Sequence, residues 1–477
     1  MTTREGAFRD DLGRKVGVLL LVALLVFSAY LRRYALWMPH WTGDQNQYIT
    51  LALKLDKLGL DHYNLRGIKL GMAKLSEDPP VEIVYSKIGD PSAEGDILAI
   101  LRVVGQSYWD EPLHMRAPLY PYVLMWSHRI FERDNLHYTS VSSHLGPHVR
   151  WHRPPEVLRA QLWVAGVSLA FNLLVVLVTG LIGWRLFGAR CGAVAAYAMA
   201  VHPVSLMTAH RALAEDPLVL FSALSFWAVW AGGTSWAGAA LAGGAMGLAV
   251  LTKQSALYLV PAVWIYWLLT HPADRSRWQG VARSALDARW LTYLLALAAV
   301  TAFWFVKVHQ VYGEFFHVPT QRMIESVGTD RTGWFEALRR RPHPLIFFSI
   351  GTVLAAPLFG CALLTLGRLR SGVVRLWQGR SAADPYVLLW SWVIAAYAQL
   401  TRPWQLLEPP MVQEHRYFYP AYPALAALAA AGLLELSRKW PLKPAVRDAI
   451  VCAVLLAAAI WSVPQGLRIV YENEMLF

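Results

Sequence analysis

The sequence predicts an all-α polytopic membrane protein of about eleven transmembrane helices, with a long first outer loop carrying interfacial helices. Three observations predict it. Of the 477 residues, 56% are hydrophobic and only 16% are charged, against about 45–50% and about 25% in soluble domains. Mean hydropathy is +0.35. Apolar windows long enough to cross roughly 30 Å of hydrocarbon recur along the chain. They lie near 16–36, 159–184, 191–209, 217–232, 235–252, 255–270, 290–308, 344–366, 385–401, 418–436 and 447–463, some of them short.

The elements follow in order. Residues 1–15 form a basic N-terminus with Arg4, Arg9, Arg14 and Lys15. The span at 16–36 is retained rather than cleaved, because no small-residue cleavage site follows Tyr30-Leu31-Arg32-Arg33. Residues 37–158 make one long outer loop. In it, Tyr48, Leu51, Ala52, Leu55 and Leu58 fall on one helical stripe with Lys54, Lys57 and Asp61 off it, the pattern of a helix lying in the interface. A second helix is expected over about 117–132, and 73–96 is polar and turn-rich. Residues 159–463 form the helical bundle, and 464–477 a short outer tail, with no soluble domain after the last span.

Lys and Arg in short loops are retained in the cytoplasm, which sets the orientation. With the N-terminus inside, Arg185 and Arg190, then Arg275 to Arg289, Arg368 to Arg380, and Arg438 to Arg447 all fall on that same side. The net charge of +12 and pI near 9.6 are thereby explained by topology, and nucleic acid is excluded as a partner. Cys191, Cys361 and Cys452 are far apart and without a CxxC, so neither a disulfide framework nor a zinc site is expected.

Acids gather where the membrane ends on the outer side. Gly43-Asp44-Gln45 follows the first span, and Arg211-Ala212-Leu213-Ala214-Glu215-Asp216-Pro217 joins the third to the fourth. Each has a structural reading beside a chemical one. Asp44-Gln45-Asn46-Gln47 has the form of a capping box. Asp216 before Pro217 reads as an N-cap followed by proline at the first helical position. Lys253, Arg211 and Arg416 are predicted on the outer side, against the positive-inside tendency; snorkelling at a helix end is the alternative for Lys253, and a salt bridge to Glu414 for Arg416. His144, His148 and His152 recur every four residues, but Gly146-Pro147 interrupts the helix that would align them, and a polar loop is expected. Trp109, Tyr120, Trp151 and Trp404 suit interfacial belts, with sugar stacking as the lesser use.

Five phrases in order resemble the glycosyltransferase C superfamily, in particular family 39-like enzymes, protein O-mannosyltransferases and aminoarabinose transferases. They are Gly43-Asp44-Gln45-Asn46-Gln47-Tyr48, Arg116-Ala117-Pro118-Leu119-Tyr120-Pro121, His202-Pro203 through Arg211 to Asp216, Gly247-Leu248-Ala249-Val250-Leu251-Thr252-Lys253, and Glu414-His415-Arg416-Tyr417-Phe418-Tyr419-Pro420. The resemblance covers nearly the whole chain. It implies an integral protein of a bacterial cytoplasmic membrane that moves a sugar, with inversion, from a polyprenyl-phosphate donor to a lipid, glycan or protein acceptor at the outer face.

The resemblance puts the first-loop aspartate at Asp44, the candidate base for an acceptor hydroxyl. It puts substrate binding on Arg116, Tyr120, Arg211, Glu215, Asp216, Lys253, Glu414, His415 and Arg416, the cations facing the departing phosphate. A divalent cation would bridge Asp44 and Asp216 through hard oxygen ligands. Many relatives carry a second acid beside the first-loop aspartate where Gln45 stands here, which weakens the metal expectation. With no soluble C-terminal domain, the first loop and bundle cavity are expected to hold the acceptor. Two other classes fit the same span pattern: a lipid or glycan transporter, whose polar sites lie near the midplane and often in repeated halves, and a catalytically silent subunit that keeps the fold.

Overall fold

The structure is a computed structural model that describes residues 4–37, 48–49, 51–52, 55–56, 59–63, 114, 116–131, 155–209, 211–233, 235–270, 287–315, 356–378, 383–399 and 418–472. Asp44, Glu414, His415, Arg416 and the His144, His148 and His152 set lie outside the described residues, as do Trp109, Trp151, Trp404 and the turn-rich 73–96.

Most of the described residues are helical. The first span is α1 (Arg4–Leu31), which a turn at Arg32 and Arg33 separates from the short α2 (Tyr34–Trp37). The expected loop helix over 117–132 is α3 (Leu119–Phe131). The bundle then runs through α4 (Pro155–Phe187), α5 (Ala189–Ala200), α6 (Pro203–Thr208), α7 (Glu215–Gly232), α8 (Trp236–Thr252), α9 (Val260–Thr270), α10 (Ala288–Tyr312), α11 (Leu366–Trp377), α12 (Pro385–Gln399), α13 (Tyr422–Arg438) and α14 (Pro444–Glu472). Among the described residues, four stretches are long and apolar enough to cross a membrane: 164–187, 288–312, 419–438 and 444–467. Shorter apolar helices cover 15–31, 236–252, 254–270 and 385–397. The last helix continues through Pro464 to Glu472, into the segment expected as a tail.

One expected span is broken. The apolar window near 191–209 forms α5, which ends at Ala200, and the separate six-residue α6. The break falls at Val201-His202. His202 is the N-cap of α6, its Nδ1 accepting from the Val204 amide at 3.2 Å, and Pro203 occupies the first turn, where a missing N–H costs nothing. The expected N-cap at Asp216 is also displaced: α7 starts at Glu215, the cap position is Ala214, and both acids lie in the first turn, where they favour the positive end of the helix dipole.

Packing depends on small residues. A side chain added at Gly243 of α8 would overlap the Tyr293 carbonyl oxygen of α10, and one at Gly247 would meet Val300 at 2.8 Å. This four-residue spacing lets two backbones approach closely, as helices in lipid require when no hydrophobic force drives them together. The basic clusters gather at one end of the bundle. There Arg190 meets Asp448, Arg368 meets Glu435 and Arg375 meets Asp384. The opposite end holds the acid pair of α7.

The loop stripe expected to lie in the interface is instead packed into protein. Tyr48, Leu51, Ala52 and Leu55 are buried, with Tyr120, Ala212, Ala214, Leu251 and Trp304 in the same apolar cluster. Asp61 off the stripe is exposed.

Candidate active site

The connection from α6 to α7 is the least ordinary segment. Loops normally run over the surface, because buried backbone and charge need partners. Here every described residue from 201 to 220 is buried, including Arg211 at 4% exposure and Glu215 and Asp216 at 2%. Burying charge is costly unless each group is paired and hydrogen-bonded.

The two adjacent acids find different partners. Glu215 Oε1 accepts from Lys253 Nζ at 2.9 Å. Lys253 is the C-cap of α8, in extended conformation between Thr252 and the 3-10 turn Gln254–Leu259, so the chain leaves its helix where the ammonium is needed. Glu215 is nearly covered, whereas the lysine side chain keeps 22% exposure. The lysine is therefore the partner that an incoming group can reach.

Asp216 is held by donors. Its Oδ1 accepts from Asn172 Nδ2 at 2.8 Å, Tyr419 OH at 2.9 Å and Thr208 Oγ1 at 3.1 Å. These come from α4, from the 3-10 turn Tyr419–Ala421 and from α6, so one carboxylate oxygen ties three segments to the start of α7. Behind them stands Arg32, fully buried. Its Nε donates to Asn172 Oδ1, and its other nitrogens donate to Ser28 Oγ, the Ala200 carbonyl and Ser205 Oγ, each at 2.8 Å. An amide has one accepting and one donating end. Because Arg32 takes the oxygen of Asn172, the NH₂ end must face Asp216. Tyr34 OH donates to the Leu206 carbonyl alongside.

Arg116 and Tyr120 come to the same end. The Arg116 guanidinium lies over the Tyr48 ring at 5.7 Å, Tyr48 and Tyr120 meet edge-on at 5.4 Å, and Tyr120 OH bonds Ser168 Oγ at 3.0 Å. Their cluster includes Ala212 and Ala214, which flank Leu213 just before Glu215, and Leu251, two residues before Lys253. Six sequence-predicted residues, Arg116, Tyr120, Arg211, Glu215, Asp216 and Lys253, thus gather around one cluster. Asp44, Glu414, His415 and Arg416 lie outside the described residues. Among those described, no three of His, Cys, Asp and Glu gather as metal ligands.

Sequence reasoning missed Arg32, Asn172 and Thr208. Arg32 carried a signal, being an arginine at the outer end of a span against the positive-inside tendency. Asn172 carried a weaker one, an amide in the middle of an apolar helix.

The helical arrangement, with its buried and charged connection at one end, is a fold seen in solved membrane-protein structures. Among solved structures, ArnT from Cupriavidus metallidurans bound to undecaprenyl phosphate is similar at 20% identity and a TM-score of 0.52, covering 92% of this chain and 63% of that one. The Archaeoglobus fulgidus oligosaccharyltransferase in complex with zinc and sulfate is similar at 15% identity and 0.51, covering 94% and 53%. The archaeal oligosaccharyltransferase AglB from Archaeoglobus fulgidus, in complex with an inhibitory peptide and a dolichol-phosphate, gives 14% and 0.50, covering 95% and 55%. This chain therefore spans less than two thirds of the length of these structures. No family profile matches the sequence, and no curated protein matches it.

Proposed function

We propose that this chain is a membrane glycosyltransferase that moves one sugar from a polyprenyl-phosphate donor to a lipid, glycan or protein acceptor at the outer face, with inversion at the anomeric carbon. The observation that carries the reading is the reachable Lys253, held by buried Glu215, with buried Arg211 in the same connection and the Arg116–Tyr48–Tyr120 group at the same end, on a fold similar to that of ArnT bound to undecaprenyl phosphate.

In this reading the acceptor hydroxyl attacks the anomeric carbon as Asp44 takes its proton. The bond from that carbon to the phosphate oxygen breaks, and polyprenyl phosphate leaves with one further negative charge. Lys253, Arg211 and Arg416 stabilise that charge, most effectively where water is excluded. Glu215 holds Lys253 in place. His415, Glu414, Arg116 and Tyr120 shape the sugar and phosphate binding surfaces. Asp44 and Asp216 would hold a divalent cation through hard carboxylate oxygens, where it would supply positive charge to the phosphate; no step is routed through it.

The test is transfer of labelled sugar from a panel of polyprenyl-phosphate sugars to a membrane-lipid extract by the purified protein. Folded protein that transfers from no donor would overturn the reading in favour of a transporter or a silent subunit.

A further inference from the structure

At the end of the bundle away from the acid pair, α11 (Leu366–Trp377) follows directly on the 3-10 turn Pro357–Thr365. It ties the ends of other helices together. Arg368 pairs with Glu435 in the last turn of α13. Arg375 pairs with Asp384, whose Oδ1 accepts from the Tyr386 and Val387 amides at 3.0 and 3.2 Å and so caps the start of α12. A side chain added at Gly372 would meet the same carboxylate at 2.8 Å, and α9 packs against α11 as well. From Arg368 to Arg375, about 10 Å of helix rise, α11 thus passes from the end of α13 to the start of α12 and runs across the bundle end.

The sides of this helix differ. Gly372 and Leu376 are buried, and Leu369 and Val373 pack on the core. Leu366, Arg370, Val374 and Trp377 follow one another at helical spacing and make an exposed stripe, in which Leu366 shows 44% of its surface, Val374 46% and Trp377 49%. Gly367, Ser371 and Gln378 lie along the flank further from the core.

Arg370 sets the depth of the stripe. It is exposed and has no acid partner among the described residues, whereas Arg368 and Arg375 are paired. A lone guanidinium is strongly disfavoured in the hydrocarbon interior. Leu366, Val374 and Trp377 are disfavoured in water. The headgroup boundary suits both, since indole rings settle at that level and a guanidinium there meets lipid phosphate through paired N–H donors.

We propose that α11 is an interfacial helix whose Leu366–Arg370–Val374–Trp377 stripe sits in the headgroup boundary of an anionic leaflet, the one opposite the acid pair, with Arg370 on a lipid phosphate. The inference is independent of the proposed transfer activity.

The test is spin labelling of the full chain in nanodiscs of mixed phosphatidylglycerol and phosphatidylcholine, with Cys361 and Cys452 replaced by serine. A label at Leu366→Cys should be relaxed more by oxygen, which partitions into lipid, than by a water-soluble nickel chelate. A label at Ser371→Cys should show the reverse order. Native mass spectrometry of the delipidated protein with each lipid supplies the second arm. Arg370→Gln should lower the preference for phosphatidylglycerol about fivefold, the worth of one arginine near an anionic surface, and Arg370→Lys should restore it. Nickel-dominated relaxation at Leu366 would place the stripe in water, and exclusion of both reagents there would show it covered by protein. Either result, or an unchanged lipid preference in Arg370→Gln, would overturn the proposal.

Discussion

Lys253 and Glu215 form a pair whose members have unequal roles. Glu215 is covered and Lys253 is the face turned to solvent, so removing the lysine both empties the site of a cation and leaves a carboxylate buried alone. Lys253→Met is expected to lower transfer about 10²-fold or more and to lower the thermal midpoint. Glu215→Gln keeps the cation but frees it to wander, and a smaller loss is expected; equal losses in both would refute the division of labour. Asp216 belongs to a different arrangement. Asn172→Leu removes the amide that joins Arg32 to Asp216 and leaves a fully buried guanidinium short of an acceptor. A destabilisation of about 3–5 kcal/mol is expected, read as a large fall in thermal midpoint in detergent. Sequence displayed the acids and Lys253 because charges beside long apolar runs stand out. It hid the relay because Asn172 and Thr208 are ordinary until the fold brings α4 and α6 against α7. His114 offers a test by pH: burial, with the Lys307 charge adding, pushes its pKa down to about 4 from 6.5. Its neutral form is favoured on folding, so the unfolded chain binds the extra proton between those values. Stability should be complete above pH 6.5 and fall as pH drops toward 4. His114→Phe should flatten that dependence, and thermal midpoints measured across the range decide it.

At the scale of elements, hydropathy located most helices because lipid demands one continuous apolar stretch for each crossing. The window at 191–209 fails that inference. Its residues are apolar throughout, but Pro203 starts a helix better than it continues one, and the His202 ring caps the new start. Breaking there lets α6 turn Thr208 toward Asp216. The loop stripe from Tyr48 to Leu55 had the right period and the wrong neighbour, since amphipathicity shows that a face is covered without showing by what. The close approach of α8 and α10 is testable directly. Gly243→Leu would drive a side chain into the Tyr293 backbone, and loss of folded protein, seen as aggregation on size-exclusion chromatography, is expected. Gly244→Leu, where nothing lies within 4 Å of an added Cβ, should be tolerated.

Among the described residues, charges are paired at both ends of the bundle. Paired arginines meet acids at one end. At the other, Arg32, Asp216, Glu215 and Lys253 are drawn into a connection that burial would otherwise forbid. The proposed exchange of a sugar between a lipid phosphate and an acceptor is assigned to that end, and the proposed base is Asp44. The direct measurement is transfer of labelled sugar from polyprenyl-phosphate donors by purified wild type and Asp44→Asn, with matched thermal midpoints proving both folded. Transfer by the wild type and a loss of about 10²–10⁴-fold in the variant are expected; undiminished transfer by Asp44→Asn, or no transfer by the wild type from any donor, would contradict the proposed chemistry.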